Sequence, residues 1–351
     1  MRVRQTLLRC AGVGLAAAAL AVGGCGGDDE GAGGGSEDKI LGISLPYVTN
    51  DFFVALNEIT RQQGEKAGWD VLETTDAKQK VDQQVTDVNN LLSRGVTGLA
   101  LNPGDSSGIV PALNAAEEDG VPVVLMDVGA TGGKAYMTVT TDNRKAGELA
   151  CQQMVKALTD AGVKSGTVLE LQGDLASDVG RARTEGFEEC MKQQAPDTEI
   201  VAKPTKWQGP AAADATQTVL AQQQIDGIYM QSDCAMLAPV QATMRQAGKL
   251  VPAGEPDHIV LGGIDGCPPA LTAIEDGTLD FTVEQPIVAY AERVTRFLDE
   301  ALEGVEQKVG PDGDGGQIVE APTGLMDIVP ATLVTKDNVD APDRWGGQIN
   351  P

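Results

Sequence analysis

Two seven-residue segments, Val121-Pro-Val-Val-Leu-Met-Asp127 and Ile259-Val-Leu-Gly-Gly-Ile-Asp265, are apolar until their last residue, which in both is an aspartate. Each follows a stretch with helical spacing. Each is also preceded by another apolar run with a polar end, Gly98-Leu-Ala-Leu-Asn102 in one case and Gly227-Ile-Tyr-Met-Gln-Ser232-Asp233 in the other. Near-continuous apolar strands alternating with amphipathic helices predict parallel sheets covered on both faces. Ligands of such sheets bind beyond the carboxyl ends of the strands. Two similar halves with acids and amides at those ends predict a cleft suited to a hydroxyl-rich solute.

The first 25 residues stand apart. Arg2, Arg4 and Arg9 precede an Ala-rich apolar stretch from Ala11 to Val22, and small residues lead to Cys25. That order resembles a bacterial lipoprotein signal, with Cys25 as the lipidated residue of the mature chain. A dozen apolar residues fall short of the ~20 that span a bilayer. Residues 26–38, rich in Gly, Asp and Glu, cannot bury apolar area and are expected to form a tether. The reading therefore places the protein outside the cytoplasmic membrane and attached to it only through lipid.

All 51 acidic residues follow Cys25 while three of the 26 basic ones precede it, so the remainder carries a charge near −28. Such a surface argues against nucleic acid and against adhesion to anionic lipid. Four cysteines remain, Cys151, Cys190, Cys234 and Cys267. An even number in an oxidising compartment predicts two disulfides with three connectivities open. The favoured set is Cys151–Cys190, tying adjacent helices, with Cys234–Cys267 tying loops after neighbouring strands. No cysteine pair has zinc-ligand spacing, and His258 is the single histidine, so no metal or cofactor is expected.

In the first half, strands are predicted at 40–45, 69–74, up to Asn102, up to Asp127 and at 136–140. Between them lie helices carrying Phe52, Leu56 and Ile59; then Val81, Val85, Val88 and Leu92; and then Ile109 and Leu113. Asp142 is placed to cap the helix that follows. The second half repeats the plan, with strands at 168–171, 200–203, 228–230, 259–264 and 281–283, a helix over 180–192 and a long one over 287–302. A last strand is expected near 326–334. The fold class is thus α/β, two doubly wound parallel-sheet lobes joined by a hinge of several crossings near 140–143, 284–287 and 322–327. The lobes are expected to comprise 39–141 with 286–325, and 142–285 with 326–345.

Catalysis finds little support. There is no Gly-x-Ser-x-Gly elbow, no phosphate loop and no HExxH. Asp127 and Asp265 have the chemistry of a glycosidase pair, yet carboxylates on opposing lobes are better suited to accept hydroxyl protons from a bound solute. The Asp312-Gly-Asp-Gly-Gly316 loop lacks EF-hand spacing and reads as an exposed turn.

Read as a binding site, Asp127 and Asp265 suit vicinal hydroxyls, and Asn50 and Asn102 both donate and accept. Arg181 forks onto oxygens, while Phe52, Phe53 and Trp207 cover C–H faces. Asn50 is also placed to cap a helix, and the three aromatics are also plausible core.

Asn50-Asp-Phe-Phe53, Leu101-Asn-Pro-Gly-Asp105, Asp127, Thr141-Asp-Asn143, Leu171-Gln-Gly173, Arg181-Ala-Arg-Thr-Glu-Gly-Phe187, Gln231-Ser-Asp233, Gly263-Ile-Asp-Gly266 and Glu284-Gln-Pro286 run the length of the folded chain. In order and spacing they resemble the ribose-binding type of periplasmic sugar-binding proteins. The resemblance implies a monomeric, non-enzymatic receptor that closes on a pentose, hexose or polyol and presents it to an ABC permease and its ATPase. Its ligand set would be Asn50, Phe52, Phe53, Asn102, Asp127, Arg181, Trp207, Asp265 and Gln285, with Ser232 and Asp233 at the same strand ends. Three positions depart from the ribose pattern: Val128 replaces an Arg, Ser232 an Asn and Pro46 a Ser. A solute other than ribose is therefore expected, and the acid excess leaves room for an amino-bearing one. A sensor subunit feeding a signalling receptor is the alternative role. A lactose-repressor-type regulator would need a DNA-binding helix pair where the export signal stands.

Overall fold

The computed structural model describes residues 39–348. Cys25, the export signal and the segment 26–38 lie outside the described residues. No helix among those described is long and apolar enough to cross a membrane.

The first half runs β1 (Ile40–Leu45), α1 (Asp51–Lys66), β2 (Asp70–Val71), β3 (Thr75–Asp76), α2 (Val81–Ser93), β4 (Gly98–Leu101), α3 (Val110–Glu118), β5 (Val123–Met126) and β6 (Met137–Thr141). Then follow α4 (Asn143–Asp160), β7 (Thr167–Gln172), α5 (Asp178–Gln194), β8 (Glu199–Pro204), α6 (Gly209–Gln222), β9 (Gly227–Met230), α7 (Asp233–Gln246), β10 (Val260–Asp265), α8 (Pro268–Glu275) and β11 (Phe281–Glu284). The chain finishes with α9 (Ile287–Leu302), β12 (Gly310–Pro311), β13 (Gln317–Ala321), β14 (Gly324–Val329), β15 (Thr332–Thr335) and α10 (Trp345–Gln348).

Two sheets result. One has nine strands in the order β12-β13-β14-β6-β5-β4-β1-β2, with β3 also on β1; the other has six in the order β15-β11-β10-β9-β7-β8. Strand periodicity divides each between two cores. On β4 and β5, Ala100, Val124 and Met126 join the cluster under α1 and α9, whereas Leu99, Leu101, Val123 and Leu125 join the one under α2 and α3. In the second sheet Leu169, Leu171, Ile228 and Met230 face α6 and α7, and Val168 and Tyr229 face α4 and α5. This two-sided burial is why the strands read as unbroken apolar runs.

The chain passes between the sheets three times, after β6, after β11 and after β14. The third crossing corrects the sequence reading. Residues 326–334 do not form one strand of the second lobe. Gly324–Val329 pairs with β6 in the first sheet, and Thr332–Thr335 pairs with β11 in the second. Pro330 separates the two, since it has no N–H for a ladder. The boundary drawn at 325/326 therefore moves to about 330. The hairpin of β12 and β13 was not anticipated either. Its connecting loop is tied down by Arg293, which donates to Asp312 at 2.8 Å and lies 3.0 Å from Asp327.

The four cysteines among the described residues stand in two close pairs, Cys151 with Cys190 across α4 and α5 (Cα–Cα 6.1 Å) and Cys234 with Cys267 (5.4 Å). Both separations suit a disulfide.

Candidate functional site

The carboxyl ends of the central strands of both sheets face one cavity of about 330 Å³, lined by Asn102, Asp127, Arg183, Ser232, Asp265 and Gln285 with Tyr47, Phe52, Phe53 and Trp207. Doubly wound topology brings these residues together. Asn102 and Asp127 directly follow β4 and β5, Ser232 lies two residues beyond β9, Asp265 is the last residue of β10, and Gln285 follows β11 at a crossing.

On the first lobe, Asn50 caps a helix at the edge of the cavity. Its Oδ1 accepts from Phe53 N at 3.0 Å, capping α1, and its side chain still borders the cavity. Starting α1 there turns Phe52 and Phe53 inward, with ring centroids 5.2 Å apart, and Tyr47 packs edge-on to Phe53 at 4.6 Å. Tyr47 was absent from the sequence-based set. It lies in the β1–α1 loop, where neither period marks a residue, but an aromatic three positions before a helix cap was a usable signal.

Asn102 Nδ2 donates to Asp127 Oδ2 at 3.2 Å, and Gln84 Nε2 donates to the Asn102 carbonyl at 2.7 Å. Asp127 holds a left-handed backbone (φ 66°), and Thr140 Oγ1 donates to its carbonyl at 2.6 Å. Among the described residues, Asn102 Oδ1 and Asp127 Oδ1 are buried without a hydrogen-bond partner. Burial pushes the Asp127 carboxyl up to about 7, against the opposing pull of Arg183 and Asn102.

The second lobe supplies the cation. Arg183 Nε donates to Asn143 Oδ1 at 2.9 Å, and its Nη1 donates to the Gln231 carbonyl at 2.5 Å and to Asp265 Oδ1 at 3.3 Å. Its Nη2 is buried and has no hydrogen-bond partner among the described residues. The guanidinium lies 5.8 Å from the Trp207 ring centroid. Asp265 also accepts from Ser232 Oγ at 2.5 Å and Gln285 Nε2 at 2.7 Å. Burial raises its pKa, while Arg183, Ser232 and Gln285 work the other way. Trp207 is seated so closely over Gly173 that a Cβ there would fall 1.9 Å from the indole.

Two expectations fail. Arg181 does not border the cavity; it is partly exposed and donates to the Leu175 carbonyl at 2.7 Å. The inward residue is Arg183, one helical turn before Phe187, on the buried stripe of α5 with Val179 and Cys190. Helical periodicity contained that answer, because Arg181 is six residues from Phe187 and falls on another face. Asp233 is buried but turned away from the cavity. Its carboxylate accepts from Gly266 N, Cys267 N and Thr282 Oγ1, bracing the loop after β10.

The lobes also touch directly at the rim. Asp178, at the start of α5, accepts from Gly129 N at 3.2 Å and from Ser106 Oγ at 3.4 Å, and its own N–H donates to Ser106 Oγ at 3.0 Å. Gly129 allows this approach, because a Cβ there would stand 2.7 Å from Asp178 Oδ2.

Known proteins share this arrangement. Residues 41–306 match the model of the periplasmic binding protein domain. The ribose import binding protein RbsB of Bacillus subtilis is 30% identical over 278 residues, 77% of this chain and 84% of that protein. A xylitol-binding protein of Mycolicibacterium smegmatis is 26% identical over 335 residues, 93% of this chain and 86% of its own length. Among solved structures, an ABC transporter solute binding protein from Mycobacterium smegmatis with bound glycerol superposes with a TM-score of 0.74 at 26% identity, covering 87% of this chain and 96% of the other. On the matched domain, the two-lobed fold and the cleft between its strand ends, the chain belongs to the periplasmic binding protein family of extracytoplasmic solute receptors.

Proposed function

We propose that this protein captures a sugar or sugar alcohol by closing its lobes and delivers it to an ABC import permease. One observation carries the reading. Asn102, Asp127 and Arg183 come from both lobes and line one cavity, and among the described residues their buried Oδ1, Oδ1 and Nη2 atoms are unpaired. Buried polar atoms are rarely left so, and hydroxyls, which donate and accept at once, satisfy all three kinds. Aromatic rings on the same walls suit the C–H faces of a carbohydrate. Relatives named for ribose and xylitol, and a neighbour holding glycerol, support polyhydroxylated solutes as the class.

Val128 lines the cavity where the ribose-type pattern has an arginine, which favours a solute with less oxygen at that end. The mature protein is read as a monomer carried by lipid on Cys25, with Cys151–Cys190 and Cys234–Cys267 as disulfides. A sensor subunit would use the same cleft. Two adjacent unpaired acceptors on Asn102 and Asp127 also favour a protonated amine as a second solute class.

The test is calorimetric titration with xylitol, glycerol, ribose, other pentoses and hexoses, inositols and amino sugars. Binding of a neutral polyol or sugar below about millimolar is expected. Binding of amino sugars alone moves the assignment to the second class, and binding of none while amino acids bind ends it.

A further inference from the structure

The chain does not stop at the second sheet. After β15 it returns toward the cleft and buries Arg344 (6% exposed) and Trp345 (2%), well beyond residue 306 where the family match ends. A buried arginine needs specific partners. Arg344 Nη1 donates to Glu284 Oε2 at 2.7 Å, and its Nε and Nη2 donate to the Asn338 carbonyl at 3.4 and 3.3 Å. Trp345 N donates to Glu284 Oε1 at 3.1 Å, and its indole Nε1 donates to the Asp265 carbonyl at 2.9 Å.

These contacts fall on the two short segments that present the second lobe's acid and the crossing's amide. Gln285 follows Glu284; its N–H donates to the same Asp265 carbonyl at 3.1 Å and its Nε2 to Asp265 Oδ1 at 2.7 Å. Asp265 itself has φ 122°, a backbone that L-residues rarely adopt and that persists only when the surroundings over-determine it. The Trp345 indole supplies part of that determination. Trp345 belongs to the apolar cluster that also holds Tyr47, Phe52 and Phe53 of the first lobe, while its indole hydrogen-bonds the second. Neither Arg344 nor Trp345 lines the cavity.

We propose that Arg344 and Trp345 are positioning residues, a C-terminal strap that holds Asp265 and Gln285 in their solute-binding geometry. Their effect on affinity rests on the solute-binding reading of the cleft; their hold on the backbone does not.

The test uses the full chain and two readouts. Trp345→Phe keeps an aromatic ring and removes the indole donor. Trp69→Phe is the control, because Trp69 Nε1 donates to Asp299 at 2.9 Å, remote from the cavity. Amide exchange at Gln285 and affinity for xylitol, or for whichever neutral polyol or sugar the parent binds more tightly, are measured alongside melting temperature. Trp345→Phe is expected to speed exchange at Gln285 several-fold and weaken affinity roughly three- to tenfold, the range of one lost hydrogen bond. Trp69→Phe is expected to lower the melting temperature comparably and change neither readout. Arg344→Lys is expected to retain more affinity than Arg344→Met. Parent-like exchange and affinity in Trp345→Phe, or an affinity loss matched by Trp69→Phe, overturns the proposal. If the parent binds no sugar or polyol, the solute assignment fails while the exchange readout still decides the strap.

Discussion

Arg183 Nη1 and Asp265 Oδ1 stand 3.3 Å apart with 2% and 4% of their side chains exposed, an ion pair sealed inside the wall of the cleft. Its second guanidinium nitrogen has no hydrogen-bond partner among the described residues, while Asn143, at the first crossing between lobes, fixes the guanidinium through Nε. The same cation therefore neutralises the acid, faces the cavity and touches the hinge.

Removing it leaves the buried Asp265 carboxylate without its cation, with only the neutral donors Ser232 and Gln285 on it. Arg183→Ala is expected to cost about 3–5 kcal/mol of stability, as for other broken buried pairs, and to abolish measurable solute binding. Arg181→Ala, on the outer face of the same helix, should stay within about 0.5 kcal/mol of the parent. Thermal melts and titration calorimetry on both variants check the contrast. A loss of binding in Arg181→Ala with binding kept in Arg183→Ala would reverse the assignment.

The Asp178 contacts join the lobes directly. Asp178→Ala deletes all hydrogen bonds to its carboxylate, and at about 0.5–1.5 kcal/mol each solute release should quicken by roughly tenfold or more. Gly129→Ala should act in the same direction with no change of charge, because its methyl collides with Asp178. Stopped-flow release rates measure the effect, and small-angle scattering of the solute-free protein should report a more open shape. Unchanged release in both variants would count against the clasp.

Asp127 gives a pH signature. Burial raises its carboxyl from an ordinary 3.8 to about 7, so the folded state favours the protonated form. Its contribution to stability is full below the unfolded value and is lost as pH rises through the folded one. A hydroxyl donated to Oδ1 favours the ionised form instead, so affinity should rise between about pH 5 and about pH 8 while solute-free stability from this group falls. Asp127→Asn should flatten both trends and melt higher than the parent at the alkaline end. Melts and titrations across that range decide it; parent affinity that declines with pH contradicts the sign.

Much of the site was readable because strand ends are readable. Asn102, Asp127, Ser232 and Asp265 terminate apolar runs, and topology alone brings such residues to one cleft. The errors have local causes. Arg181 and Arg183 both lie near the start of α5, and only the buried stripe through Phe187 distinguishes the latter. Asp233 ends the same run as Ser232, but alternation turns the two side chains apart. Gly324–Val329 and Thr332–Thr335 form a nearly continuous run in the sequence, and Pro330 is the residue that divides it. Arg344 and Trp345 were invisible, since they follow no period and their partners are some sixty to eighty residues earlier in the chain.

Three crossings mean that neither lobe is one continuous stretch of polypeptide. β6 obtains its outer neighbour only from residues 324–329, after the entire second sheet except β15 has been laid down in sequence. A nascent chain cut near residue 305 would therefore leave β6 as an open edge, a template for pairing with another copy. Assembly from the amino terminus cannot finish the first lobe before most of the second exists. That order of events suits a polypeptide threaded across a membrane unfolded and completed on the far side.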